Sequence, residues 1–474
     1  MSIAVTREGT AEPIRLGPRE RLELLCDDGS LQVVRSTVSS RRNGRSTPGD
    51  GVVGGFGTVG GRPTYCYAQD QGFAGGSLGE AHADTIVRVL QLAGRAGAPV
   101  VGFVESAGAR MDDGSAALGG YGRIFRENVR LSGRVPQITL ITGASAGGGA
   151  YSPALTDFLA MTRQASMFLT GPGVVREVMG EDVDTEALGG PRVHSRNGVC
   201  DFVVEDDRAA ARLAQELLRH LPQRAGEPLP LALPEPPDGD DPSARVPSEA
   251  RAVYDVREVI RALVDGGAML EPSPRFARNV VTALGRIEGL PVGVIANQPR
   301  YLGGVLDAHS AQKAARFVRT CDSFGVPLVV LVDTPGFLPG TAQERAGVIR
   351  HGAGLLHAFA AAAVPKVTVV LRKAYGGGYI TMNSKDLGAD LSLAWPDAQI
   401  GIMGPKQAVG ILHRRALAEA DEPQRELERL AESYADEHVS AAVAAREGFV
   451  DELVEPADTR ERLRGALAAL GGRR

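Results

Sequence analysis

Two glycine triplets carry the residues best placed to do chemistry in this chain. Gly147-Gly148-Gly149 and Gly376-Gly377-Gly378 each follow an apolar, β-branched run, Ile138-Thr139-Leu140-Ile141-Thr142 and Val367-Thr368-Val369-Val370-Leu371. Glycine amides between a strand and a helix point outward with no Cβ in the way, at the positive end of the helix. Aimed at a carbonyl oxygen that gains negative charge, they form an oxyanion hole. A second donor is expected from the loop that ends the neighbouring strand. That loop is Ser106-Ala107-Gly108-Ala109-Arg110 for the first triplet and Thr334-Pro335-Gly336-Phe337-Leu338 for the second. The predicted chemistry is backbone polarisation of a carbonyl at two places. The blander alternative is that the glycines only let helix and sheet pack closely.

Other chemistries find little support. Gly143-Ala144-Ser145-Ala146-Gly147 matches the G-x-S-x-G elbow of serine hydrolases, but the second copy has Ala374 where Ser145 stands. The sequence shows no H-E-x-x-H, no P-loop and no dinucleotide fingerprint, and its eight histidines have no metal-ligand spacing. Cys26, Cys66, Cys200 and Cys321 are scattered, which fits a reducing compartment and argues against a thiolate zinc site. No metal is expected.

The two devices belong to a tandem duplication. Pro136 pairs with Pro365 and Gly148 with Gly377 at an offset of 229. Pro99 to Gly108 pairs with Pro327 to Gly336, and Gly75-Gly76-Ser77-Leu78 with Gly303-Gly304-Val305-Leu306, at an offset of 228. The period is far longer than that of solenoids, so each copy is a domain. The expected domains are 1–245 and 246–474, with a Pro/Asp-rich linker at 226–250.

The elements that must position the glycines alternate. Paired strands at 51–59 and 63–68, a helix at 79–96, a strand at 99–105, a helix at 114–132 and a strand at 136–142 lead to the first triplet. Strands at 280–287 and 291–296, a helix at 308–324, a strand at 327–333, a helix at 343–363 and a strand at 365–371 lead to the second. This order predicts an α/β fold with largely parallel sheets. Residues 421–447 read as a solvated terminal helix pair. A basic patch at Arg41-Arg42-Asn43-Gly44-Arg45 reads as a solvated face.

With 474 residues, 43% hydrophobic and 23% charged, the chain has globular composition. A net charge of −5 argues against nucleic acid. No apolar run is long enough to span a membrane, and Met1 to Pro13 has no signal core, so a soluble, cytoplasmic protein is expected.

In longer blocks the chain resembles the crotonase-like fold, and within it the carboxyltransferase (β) subunits of biotin-dependent acyl-CoA carboxylases. The blocks include Gly119-Gly120-Tyr121-Gly122-Arg123-Ile124-Phe125, Ala150-Tyr151-Ser152-Pro153-Ala154-Leu155-Thr156-Asp157, Val332-Asp333-Thr334-Pro335-Gly336-Phe337-Leu338-Pro339-Gly340 and Lys373-Ala374-Tyr375-Gly376-Gly377-Gly378-Tyr379. The resemblance implies two crotonase-like β-α superhelical domains, the first binding acyl-CoA and the second carboxybiotin. It implies catalytic roles for Gly147, Gly148 and Gly108 at the thioester, and for Gly377, Gly378 and Phe337 at biotin. Ala107, Tyr151, Tyr379 and Ile380 are the implied substrate-lining residues. Where Ala107 stands the family usually has glycine, so its methyl is expected to crowd the first hole. Where Ile380 stands, propionyl-type members commonly carry Asp. The resemblance further implies a homo-hexamer, with each active site between two subunits. No Met-Lys-Met biotinylation site is present, so biotin must come on a separate α subunit that also carries the biotin carboxylase. A decarboxylase subunit using the same exchange in reverse, or a non-catalytic assembly subunit, are the alternatives. A hydratase of the same fold would need paired glutamates instead.

Overall fold

Each half of the chain lays down its own sheet, because the strand-forming runs recur in the same order in both. The computed structural model describes residues 16–40, 47–239, 241–249 and 252–471. Met1 to Pro13 and the basic patch Arg41 to Arg45 lie outside the described residues.

The first half opens with helix α1 (Pro18–Leu25) and strand β1 (Gln32–Val34), which the sequence reading missed. There follow β2 (Val52–Val59), β3 (Arg62–Gln69), α2 (Glu80–Ala96), β4 (Val100–Ser106), α3 (Ser115–Leu131), β5 (Gln137–Ala146) and α4 (Gly148–Ala154). Then come β6 (Phe158–Thr162), β7 (Ser166–Phe168), the short helices α5 (Pro172–Met179), α6 (Thr185–Gly189) and α7 (Pro191–Asn197), β8 (Phe202–Val204) and α8 (Asp207–His220). The sheet runs β1-β2-β3-β4-β5-β6-β8, with β7 also on β5. It is parallel from β3 onward.

The second half repeats the plan with α9 (Val256–Arg261), β9 (Val280–Ile287), β10 (Leu290–Asn297), α10 (Ala308–Ser323) and β11 (Leu328–Thr334). It continues through α11 (Thr341–Arg345), α12 (Val348–Ala361), β12 (Lys366–Tyr375), α13 (Gly376–Thr381), β13 (Leu391–Ala394) and β14 (Gln399–Gly401). Helices α14 (Pro405–Leu412), α15 (Arg414–Glu419), α16 (Pro423–His438) and α17 (Ala441–Arg446), strand β15 (Glu452–Leu453) and helix α18 (Thr459–Gly471) close the chain. Its sheet runs β15-β13-β12-β11-β10-β9, with β14 on β12.

Three expectations change. The helix expected over 343–363 breaks into α11 and α12, because Gly347 takes a left-handed φ of 73°. The helix pair near 421–447 exists, but α17 buries Ala441, Val443 and Ala444, and α18 follows it to bury Leu463 and Leu467. The linker segment is not loose. Ala232 donates its amide to Gly289, Arg286 binds the Pro230 carbonyl, and Arg372 binds the Pro247 and Glu249 carbonyls.

One apolar cluster runs through both halves, from Phe158 and Leu217 to Phe317, Val318 and Phe324. At its edge Arg316 of α10 pairs with Asp201 at 2.8 Å and binds the Asp157 carbonyl at 3.0 Å. Among the described residues, no helix is long and apolar enough to cross a membrane.

Candidate active site

The strands that deliver the triplets are longer than expected, and they change partners on the way. Residues Ile138 to Ile141 of β5 pair with β6, whereas Ala144 to Ala146 pair with β7. In the same way Val367 to Val370 of β12 pair with β13, and Lys373 to Tyr375 with β14. Opposite β4 and β11 the register jumps at one matching place, from Val104/Ile141 to Ser106/Ser145 and from Val332/Val370 to Thr334/Ala374. A bulge of this kind re-aims the chain beside a site. Both copies use it to turn the strand into a glycine-started helix.

Gly147 and Gly376 make that turn, with φ of 58° and 54°. An L-residue is strained there. The Gly147 amide is spent on the Phe168 and Leu169 carbonyls, each at 3.1 Å. This removes Gly147 from the donors named above. Gly148 and Gly149 then open α4, and helix geometry gives the first amides no acceptor within the helix. The Gly149 amide faces the Tyr121 phenol oxygen. Gly148 is left as the candidate donor of this turn, and the offset of 229 equates it with Gly377. A helix as short as α4 or α13 offers local amides rather than a macrodipole.

The facing loops are fixed by a second pair of glycines. A Cβ on Gly76 would collide with the Glu105 carbonyl oxygen, and one on Gly304 with the Asp333 carbonyl oxygen. Leu78 donates to Gly108 at 2.8 Å and accepts from Arg110 at 2.9 Å; Leu306 does the same with Gly336 at 2.9 Å and Leu338 at 2.7 Å. Amides alternate in direction along such a bridge, so those of Ala109 and Phe337 point away from it. The Gly108 amide is drawn to Ser106 Oγ at 3.3 Å, and that of Gly336 to Thr334 Oγ1 at 3.2 Å. The structural partner of Phe337 is therefore Ala109, not Gly108. An offset of 228 applied to Phe337 would have found it.

The acid before each loop is buried and tied down. Glu105 binds Arg21 of α1 at 2.9 Å, and its amide donates to Gln69 Oε1 at 3.0 Å. Asp333 takes Arg372 Nε and the Tyr254 hydroxyl, each at 3.0 Å, and its amide donates to Asn297 Oδ1 at 3.3 Å. Burial raises the Asp333 pKa, against the opposing pull of Arg372 and Lys373. Arg21 and Arg372 hold the loops from behind. Sequence reasoning missed both.

The remaining predicted residues fall around the clefts. The methyl of Ala107 is exposed and lies beside Gly75, 3.8 Å from where a Cβ on that glycine would stand. Gly378 is buried behind Gly377, where a Cβ would meet Gly336 Cα at 2.7 Å. Tyr151, 54% exposed, stands edge-on to Phe125. Tyr379 donates to the Phe449 carbonyl at 3.3 Å, and burial pushes its phenol up to about 12. Ile380, 50% exposed, lies on α13. Ser145 is fully buried and gives its proton to the Gly149 carbonyl at 2.7 Å, so it braces α4 and is no nucleophile.

Known proteins share this fold. The carboxyl transferase domain family matches residues 15–473. The propionyl-CoA carboxylase beta chain of Saccharopolyspora erythraea is 47% identical over 96% of this chain and 88% of the relative. The methylmalonyl-CoA decarboxylase subunit alpha of Propionigenium modestum is 42% identical over 97% and 91%. The crystal structure of transcarboxylase 12S, a hexamer with methylmalonyl-CoA bound, superposes with a TM-score of 0.94 at 44% identity, covering 97% of this chain and 90% of that one. Its likeness extends the crotonase-like carboxyltransferase fold to this α/β chain. The chain belongs to the carboxyl transferase domain family, among the carboxyltransferase subunits of the propionyl-CoA carboxylase type.

Proposed function

We propose that this chain transfers a carboxyl group between biotin on a separate carrier and the α-carbon of an acyl-CoA. The observation that carries the reading is the pair of equivalent backbone clefts, Gly148 with Ala109 and Gly377 with Phe337, one in each half. In the first, the two amides hold the thioester oxygen as the α-carbon loses its proton and charge moves onto oxygen. In the second, they hold the ureido oxygen of biotin. Carboxybiotin supplies CO2 and leaves a ureido nitrogen that takes the α-proton, so the C–N and C–H bonds break as the C–C and N–H bonds form. The chain need provide only orientation and oxyanion donors, and the reading requires no side-chain base at either cleft.

The second cleft suits a flat, neutral ring system. A Cβ on Gly377 would meet nothing closer than the Phe337 ring at 3.9 Å, so backbone and an aromatic ring line the approach. Ile380 follows on the same helix and contributes an apolar surface for an acyl chain. A short substrate, acetyl- or propionyl-CoA, is the reading we favour. The hexamer of the 12S neighbour supports a hexamer here; sites shared between subunits are what the family resemblance implies.

The test supplies the chain with a biotinylated α subunit, ATP, bicarbonate and acetyl-, propionyl-, butyryl- or octanoyl-CoA in turn. Carboxylated product is expected only with the biotinylated partner. ATP-dependent carboxylation by the chain alone would refute the reading. Likeness to a decarboxylase subunit makes the reverse direction the second reading. Transfer from methylmalonyl-CoA to free biotin, without net carboxylation under any condition, would favour it.

A further inference from the structure

We propose that Tyr121 and Ser106 form a hydroxyl strut that sets the width of the first cleft, and that Tyr121 is a positioning residue for the thioester step. This rests on the oxyanion reading above. The Tyr121 hydroxyl lies 2.9 Å from Ser106 Oγ, and either oxygen can be the donor. At one end Ser106 Oγ accepts the Gly108 amide at 3.3 Å. At the other, the phenol oxygen faces the Gly149 amide. The chain of bonds therefore runs from the peptide beside Ala109 to the peptide beside Gly148. It crosses from one donor's neighbour to the other's.

The ring itself sets the floor. A Cβ on Gly148 would stand 2.5 Å from Tyr121 Cγ and Cδ1. Gly148 thus rests on the ring face, and the ring also packs against Phe125, 5.8 Å between centroids. The hydroxyl stays protonated, because burial pushes the phenol up to about 12 against the pull of Ser106 and Gly149. It therefore keeps its hydrogen-bonding roles across the neutral range.

The second half lacks this device. Thr334 Oγ1 gives its proton to the Gly336 carbonyl at 3.2 Å rather than meeting a tyrosine hydroxyl. Thr334 Oγ1 still accepts the Gly336 amide, but the space under Gly377 is filled by Phe337, whose ring packs near Gly352 of α12 and carries no hydroxyl. There the two sides of the cleft touch directly, Gly378 on Gly336. Both repeats pack their two sides closely, Gly149 against Ser106 and Gly378 against Gly336, and the first adds a chain of two side-chain oxygens that can be cut without changing that packing.

The experiment compares Tyr121→Phe, Ser106→Ala, the double variant and Ser106→Thr with the parent, in the full carboxylase complex. Each single loss should lower kcat by about tenfold, the scale of one displaced hydrogen bond near reacting atoms. KM for acyl-CoA should stay within about twofold, because the strut acts on the transition state rather than on ground-state binding. The double variant should be little worse than either single one, since both cut the same chain. Ser106→Thr, which keeps the oxygen that Thr334 supplies in the second half, should recover most of the rate lost in Ser106→Ala. A Tyr121→Phe enzyme with kcat within about twofold of the parent, or a loss confined to KM, overturns the strut. Gly377→Val, run beside these, separates the two levels. If it is fully active, the oxyanion reading itself has failed. If it is inactive while Tyr121→Phe is normal, the strut alone has failed.

Discussion

Replacing Gly377 by valine isolates the amide from the fold. The Cβ has 3.9 Å to the nearest atom, the Phe337 ring edge, and φ at 377 is not left-handed. Valine should therefore cost the fold nothing, and its higher helix propensity offsets glycine's deficit by a few tenths of ~1 kcal/mol. Its γ-methyls, however, would stand over the amide proposed to face the ureido oxygen. Losing one oxyanion donor costs about 3 kcal/mol, or at least ~100-fold in kcat. Gly148→Ala is the contrasting case. Its Cβ must gain about 1 Å from the Tyr121 ring to reach ordinary contact, and overpacking of that kind costs ~1–3 kcal/mol in stability. The assay pairs thermal unfolding and oligomeric state with initial rates of acyl-CoA carboxylation. Gly377→Val should unfold at the parent's temperature and be nearly inactive, whereas Gly148→Ala should lose both stability and rate. A Gly377→Val enzyme within threefold of the parent rate, ~0.65 kcal/mol, would refute the two-cleft mechanism.

Ile380→Asp and Ile380→Gly should shift kcat/KM among acetyl-, propionyl-, butyryl- and octanoyl-CoA, at ~0.8 kcal/mol per buried methylene; ratios within twofold of the parent, ~0.4 kcal/mol, would remove Ile380 from specificity. The parent and Ser145→Ala, the residue the second half already has as Ala374, should both be unreactive toward serine-directed fluorophosphonates; labelling of the parent at Ser145 would contradict the buried brace. Asp157 is pushed up to about 7, first by burial and with Asp201 adding, against the Gln137 amide and Arg316. A raised carboxyl pKa gives stability that is full below the unfolded value near ~3.9 and is lost as pH rises through the folded one. The unfolding temperature should therefore decline between pH 5 and about 7, and Asp157→Asn should flatten that decline; an unchanged slope refutes the assignment.

Much of this was legible because the chain states its plan twice. Strand order, the glycine triplets and the facing loops could be aligned at offsets of 228 and 229, and the fold followed. What the sequence hid was the reach of each amide. Gly147 reads like Gly148, but the partner switch of β5 from β6 to β7 brings the Phe168 and Leu169 carbonyls to Gly147 alone. Gly108 reads like a donor until its amide is seen turning back to Ser106. Arg21 could not be read at all, because it lies in a polar stretch and meets Glu105 from 84 residues away. The helix that carries it shows no long apolar face, so periodicity was silent. Contacts of that separation leave no local pattern.

The one-residue change of offset, from 228 upstream to 229 at the triplets, falls between the facing strand and the glycines. It moves no donor. Ala109 meets Phe337 at 228, Gly148 meets Gly377 at 229, and both clefts keep the same two amides. What differs is the filling beneath them: Tyr121 from helix α3 in the first half, Phe337 from the loop itself in the second. Duplicated backbones with exchanged side chains are what two related tasks would require. In the proposed transfer both substrates would present a carbonyl oxygen to paired amides, which the constant backbone would serve. The thioester would gain and lose full enolate charge, and a hydroxyl-tethered cleft could polarise along its hydrogen-bond chain as that charge grows. The ureido oxygen would change less, and an aromatic floor would suffice.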